Sequence, residues 1–364
     1  MKKLSLIITL ALLVGILAGC AGTPVVYYTD CTCPVEAHQA PAAEPVVPLP
    51  DPTEGPVATG SALKTGLYVG TGLGDSKSAA EEAGEAKFDV TVAAVLVDDN
   101  GVIAACTIDS VGTSVAFDAA GAITTDLTAP VQSKNELGEN YGMVAWGGAI
   151  AEWDAQAAAL ASYAVGKTVE ELKTGAINES GYAADADLAS SATIYLGGYV
   201  SAIEAAVANA QHLGAEAGDE LRLAVMPGVG KSTSATADAA GNAQLDMDVT
   251  ALTLRDGVIS SCYIDSLQAK VAFGADGVIT TDLSAPVLTK NGLGENYGMV
   301  AWGGAVAEWD AQAASFAAYV TGKTADEVAG IAVDAGTKPT EADLVSSVTI
   351  AVGGFQALIA KACQ

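Results

Sequence analysis

The chain has 364 residues, 51% of them hydrophobic and only 5% aromatic. Its 43 acidic residues against 16 basic ones give a net charge of −27; with no basic cluster to offset that field, nucleic acid and anionic lipid surfaces are disfavoured as partners. The length suits two compact domains plus a tail.

The N-terminus carries Lys2 and Lys3, an apolar run from Leu4 to Leu17, and LAGC ending at Cys20. This resembles a lipoprotein signal, which implies cleavage after residues 1–19, lipid on Cys20, and anchoring on the outer, extracytoplasmic face of the cell membrane. The run is short for a transmembrane helix and ends in small residues. Residues 20–61 then form a tether: eight of the twelve prolines lie between Ala21 and Gly60. A semi-extended chain of ~3.1 Å per residue gives it a reach of up to ~100 Å. Cys31, Cys33 and His38 are metal-ligating types, but on a Pro-rich segment they make a weak site.

The remainder is a duplication. LGENYGMVAWGG occurs from Leu137 to Gly148 and again from Leu293 to Gly304, and Ile123–Ala158 matches Ile279–Ala314 at 31 of 36 positions. The offset is 156 from the Gly101/Gly257 turn onward and 157 just before it, where DDNG stands against RDG. Residues 62–211 and 217–364 are therefore two homologous repeats, each long enough to bury roughly two thirds of its unfolded surface around its own core. A fragment starting near Ala217 is expected to fold alone.

In the first repeat, residues 90–97, 102–109, 113–117 and 122–127 alternate or favour strands, separated by DDNG, SVG and DAAG, and predict an antiparallel meander. DDNG and DAAG lack the spaced carboxylates of a calcium loop and read as hairpin turns. A helix follows, with Ile150, Trp153, Ala157, Leu160 and Ala164 on its apolar face and Glu152, Asp154 and Gln156 off it. TVEE (Thr168–Glu171) and TADE (Thr324–Glu327) look like capping boxes opening a second helix. SSATIYLGG and SSVTIAVGG alternate as strands do and run into a final helix at the Gly pair. The fold class is α+β, each copy an antiparallel strand meander followed by helices.

Several motifs are set aside. MPGVGKSTS (Met226–Ser234) looks like a phosphate-binding P-loop, but Val225 stands where its first glycine belongs and Asp75 replaces Lys231 in the other copy. Cys106 and Cys262 are equivalent strand positions and read as core residues, not as a bridge. Cys363 is a lone terminal thiol. His38 and His212 lie in the tail and between the repeats, so no Ser-His-Asp or Cys-His arrangement is assembled.

The repeat ends carry the more specific pattern. Asp187, Ser190 and Thr193 stand in DLASSAT, and Asp343, Ser346 and Thr349 in DLVSSVT. These resemble the Asp-x-x-Ser-Gly-Ala-Thr signature of the FMN-binding domain of exported flavoproteins, in which the threonine hydroxyl can be joined to FMN through its phosphate. GLYVG (Gly66–Gly70) is similar to that family's opening strand, and Gly198 and Gly354 stand five residues after the threonine. Ser191 and Ser347 replace the signature glycine and Val348 its alanine; if that glycine has positive φ, serine costs affinity, and the second copy is the poorer site.

The resemblance implies an FMN-binding electron-transfer lipoprotein, an electron carrier more than a catalyst, between a membrane redox donor and an extracellular acceptor. Tyr141, Met143 and Trp146, with Tyr297 and Trp302 in the second copy, offer an apolar wall for the flavin ring. Trp153 is expected in the core. The alternative is a non-flavin surface binding or structural lipoprotein built from two copies of one domain.

Overall fold

Each repeat contributes one three-stranded sheet. The computed structural model describes residues 60–364; the signal, Cys20, the tether through residue 59 and the Cys31, Cys33 and His38 trio lie outside the described residues. β1 (Lys64–Gly72), β2 (Gly84–Val97) and β3 (Ile103–Phe117) pair in the order β1-β2-β3, and β4 (Glu220–Gly228), β5 (Gly241–Arg255) and β6 (Val258–Phe273) repeat the arrangement. All pairs are antiparallel. The α+β class and the two-copy plan are those read from the sequence.

The turn chemistry follows the residues. Asp98 Oδ1 accepts the Asn100 and Val102 N–H groups at 2.9 and 2.8 Å, and Asp118 Oδ1 accepts those of Ala120 and Ala122 at 2.9 Å. These carboxylates shape hairpins. The P-loop-like segment lies on β4 and in the turn into β5, with no helix after it, and Lys231 pairs with Asp246 at 3.1 Å.

Three expected boundaries are corrected. SVG is not a turn: β3 runs through it, because Val111 and Gly112 keep their pairing with Val90 and Asp89. Residues 122–127 are not a strand; Ile123 alone bridges to Phe117, and Ile123 and Leu127 lie against the core as a coil. SSATIYLGG is a loop between the short helix Ala186–Ala189 and the helix Gly197–Ala208. Its alternation arises because Ala192 and Leu196 are buried; a side chain satisfies the Thr193 and Ile194 N–H groups, and the carbonyls of Leu188 and Gly181 take those of Ser191, Ala192 and Leu196.

The two sheets pack face to face. Phe88, Val90, Val92, Val111 and Phe117 from one and Leu245, Met247, Val249, Leu267 and Phe273 from the other form a single apolar cluster. The contacts across it are reciprocal. Ala79 N–H bonds to Gly277 O and Ala235 N–H to Gly121 O, both at 2.8 Å, and Ile279 and Ile123 N–H donate to Ser78 and Ser234 Oγ, both at 2.9 Å. Every partner is matched by the residue 156 positions away, so the repeats are related by a local two-fold arrangement. The expectation of independent cores is thereby corrected: one face of each sheet is shared, and only the outer faces belong to a single repeat.

On those outer faces lie the helices. Trp153–Ala164 covers the first sheet with Trp153, Ala157, Leu160 and Ala164, together with Leu196, Val200 and Ile203 from the last helix of the repeat. Trp309–Val320 and Gly353–Ala362 do the same for the second. Sheets buried on both faces explain the near-continuous apolar run Val92–Val97. Both capping boxes form, Thr168 with Glu171 and Thr324 with Glu327. Ile150 was expected on the helix; it precedes it and is exposed.

Candidate functional site

Gln156 organises the signature loop. Expected off the apolar face, it is instead fully buried, with Nε2 donating to Ala151 O at 2.8 Å. Its Oε1 accepts Thr193 N–H at 2.8 Å, Ile194 N–H at 3.2 Å and the Thr193 hydroxyl at 3.3 Å. Gln312 repeats this with Ala307 O at 2.7 Å, Thr349 N–H at 2.8 Å and the Thr349 hydroxyl at 3.1 Å. A buried amide with both ends satisfied holds a loop about as a strand partner would. The signal available in the sequence was the identical WDAQAA in both copies.

The loop so placed forms one bank of a groove of about 370 Å³. Ile194, Tyr195, Gly198 and Tyr199 line that bank; Tyr141 and Met143, from the duplicated LGENYGM stretch, line the other; Thr91, Lys134 and Trp153 complete it. Two segments about fifty residues apart in sequence thus meet across one space. Lys134 Nζ lies 5.0 Å from the Tyr141 ring centroid and 5.1 Å from that of Trp153, within cation–π range of both. Trp153 is 2% exposed, as expected of a core residue, and its Nε1 donates to Tyr199 Oη at 3.0 Å.

The second copy keeps the frame and changes the lining. Lys290 Nζ stands 5.4 Å from the Tyr297 centroid and 4.8 Å from that of Trp309. Asp248 replaces Thr91, Ala351 replaces Tyr195 and Phe355 replaces Tyr199. Burial raises the Asp248 carboxyl above its ordinary value, opposed by its bond to Ser266 and by the charge of Lys290.

The remaining predicted residues fall outside the groove. Trp146 and Trp302 do not line it and are 90% and 91% exposed. Asp187 and Ser190 are exposed on the one-turn helix Ala186–Ala189 and at its end, where Ser190 Oγ donates to Asp187 O at 2.7 Å. Asp343 and Ser346 are likewise exposed. Neither Ser191 nor Ser347 has positive φ, so serine for glycine costs no backbone strain there. Ala192 and Val348 are both buried and face the core. The copies therefore differ as sites through Thr91/Asp248 and Tyr195/Ala351, not through the signature departures.

Other features are structural. The thiols of Cys106 and Cys262 are pushed up to about 12 by burial, and both are free, as is Cys363. A larger cleft of about 540 Å³ lies between residues 211–213 and the helix Trp309–Val320, which contributes Ala311, Ala314, Ala317 and Ala318, and its lining includes none of the signature residues. Among the described residues no helix is long and apolar enough to cross a membrane. No family model, curated protein or solved structure matches the chain.

Proposed function

We propose that the protein is a lipid-anchored, extracytoplasmic electron carrier that holds FMN in the groove of its first repeat and, less tightly, in that of its second. The observation that supports this reading is the meeting of Thr193's loop with the LGENYGM loop around one aromatic groove that contains a lysine. FMN, when bound, would accept and release electrons one or two at a time.

The residues present fit that group. Tyr141, Tyr195 and Tyr199 give flat apolar walls. Lys134 supplies positive charge in a chain of net charge −27, so the groove favours an anionic ligand where the surface at large does not. Gly198 lines the groove in the first turn of Gly197–Ala208, but the flanking Gly197 and Tyr199 N–H groups are already bonded to Gly181 O and Leu196 O, so a phosphate would be met chiefly by Lys134. Gln156 holds the Thr193 hydroxyl; Thr193 itself does not line the groove but precedes Ile194 and Tyr195, which do. At the equivalent positions of the second repeat Asp248 would oppose an anion, and Ala351 and Phe355 stand for Tyr195 and Tyr199, so weaker binding is expected there.

Protein from its native host tests the reading. Intact mass should carry the FMN increment, or denaturation should release FMN, and Thr193→Ala should reduce the flavin content. Native protein with unmodified threonines that also leaves added FMN fluorescence unquenched would favour the flavin-free binding lipoprotein.

A further inference from the structure

We propose that Trp146 and Trp302 are twin stacking platforms for the sugar rings of an uncharged polysaccharide. The proposal does not rest on flavin, because the two indoles stand outside the grooves.

Each indole is held, not merely exposed. Trp146 sits on the five-residue helix Met143–Gly147 and Trp302 on Met299–Gly303. The Glu152 carboxylate accepts the Met143 and Val144 N–H groups at 2.8 and 3.0 Å, and Glu308 accepts those of Met299 and Val300 at 2.7 and 3.0 Å. The indole lies against Gly142, whose φ is +81°; a Cβ there would come within 2.4 Å of Trp146 Cδ1, and the same distance recurs between Gly298 and Trp302. Among the described residues no ring or cation stacks on either indole. A fixed indole loses little freedom on meeting a ligand.

The copies diverge least in the stretch that carries the two tryptophans. β2 and its counterpart agree at 5 of 14 positions and the last helices at 4 of 12, whereas LGENYGMVAWGG agrees at 12 of 12. Fully buried pairs have changed, Phe88 to Leu245 and Val90 to Met247. Exposed side chains are the freer to drift, since their replacement disturbs no packing. The buried Trp153/Trp309 and Gln156/Gln312 of the same stretch are retained as well, so what sets Trp146 and Trp302 apart is their exposure without a partner.

The surroundings select the chemistry. Val144 and Ile150, with Val300 and Val306, extend the apolar surface, and Glu139 and Asn140, with Glu295 and Asn296, are exposed on the preceding turn. The nearest lysines, Lys134 and Lys290, are engaged by aromatic rings in the grooves, so phosphate has no cation to meet at the tip. A pyranose ring offers a C–H face to an indole and hydroxyls to carboxylate and amide. A bilayer taking in the ring would also meet exposed carboxylates seven residues earlier in the chain, Glu139 and Glu295. A polysaccharide also repeats its unit, so each of the two identical platforms meets the same ligand face.

The full-length protein in mild detergent is incubated with insoluble cellulose, chitin and starch, and separately with phosphatidylcholine vesicles. The parent should be retained on at least one polysaccharide. Trp146→Ala or Trp302→Ala should each weaken retention, and the double variant should lose it while melting at the parent temperature. A soluble fragment of the same polysaccharide should shield two of the four tryptophans from acrylamide. Retention by none of the polysaccharides, retention unchanged in the double variant, or binding to the vesicles alone would overturn the proposal.

Discussion

The rings of Phe117 and Phe273, equivalent positions 156 residues apart, stack with their centroids 4.0 Å apart and 3° between their planes. Each is fully buried at the end of its repeat's third strand, and together they join the two sheets. Replacing either by alanine should cost ~3–5 kcal/mol and lower one cooperative transition, not half of a biphasic one. Two separate melts in calorimetry, only one of them shifted, would show that the repeats fold independently.

A fragment comprising residues 217–364 should not be a folded monomer. It exposes the inner face of its sheet, including Leu245, Met247 and Phe273, which the intact chain covers with the other copy. The reciprocal bonds across the local two-fold allow a second fragment to take that place. Sedimentation equilibrium should find a dimer or an unfolded chain; a stable folded monomer would contradict the shared core.

Gln156→Leu should destabilise the first repeat's signature loop by ~2–3 kcal/mol, since Thr193 N–H and Ala151 O would lose their partner. Gln312→Leu should act likewise on Thr349. Amide exchange at positions 193 and 194 should accelerate far more than at the strands, and uniform acceleration would argue against a local role.

The Asp265 carboxyl is pushed up to about 6, chiefly by burial, although Thr289, Asn291 and Ser266 donate hydrogen bonds to it. Its folded value lies above the unfolded 3.8, so its contribution to stability is fully present below about 4 and is lost as pH rises through about 6, by on the order of 2–3 kcal/mol. Asp265→Asn should therefore gain on the parent between pH 4 and pH 7. Urea midpoints at the two pH values measure this difference, and a constant gap between the proteins would refute it.

Thr337 holds φ +59° where the equivalent first-repeat residue, Gly181, holds +78°. A β-branched residue in that region costs ~1–2 kcal/mol, partly offset by the greater unfolded-state freedom of glycine. Thr337→Gly should consequently stabilise the protein by up to ~1 kcal/mol in denaturant unfolding.

Much was legible in the sequence because the forces involved are local. Asp98 and Gly101 specify a hairpin, Thr168 and Glu171 a helix start, and Trp153 with Leu160 a buried helix face, each within a few residues of chain. The repeat offset also revealed two copies of one α+β plan.

Tertiary structure decided what depends on distant partners. The inner faces of β2 and β5 look alike whether they cover helices of their own repeat or each other, so periodicity could not reveal the shared core around Phe117 and Phe273. Gln156 reads as a surface amide until the Thr193 loop folds over it, and Trp146 reads as groove lining until Gly142 directs its ring outward. In each case the same side chain is compatible with two environments, and only contacts between segments far apart in the chain select one.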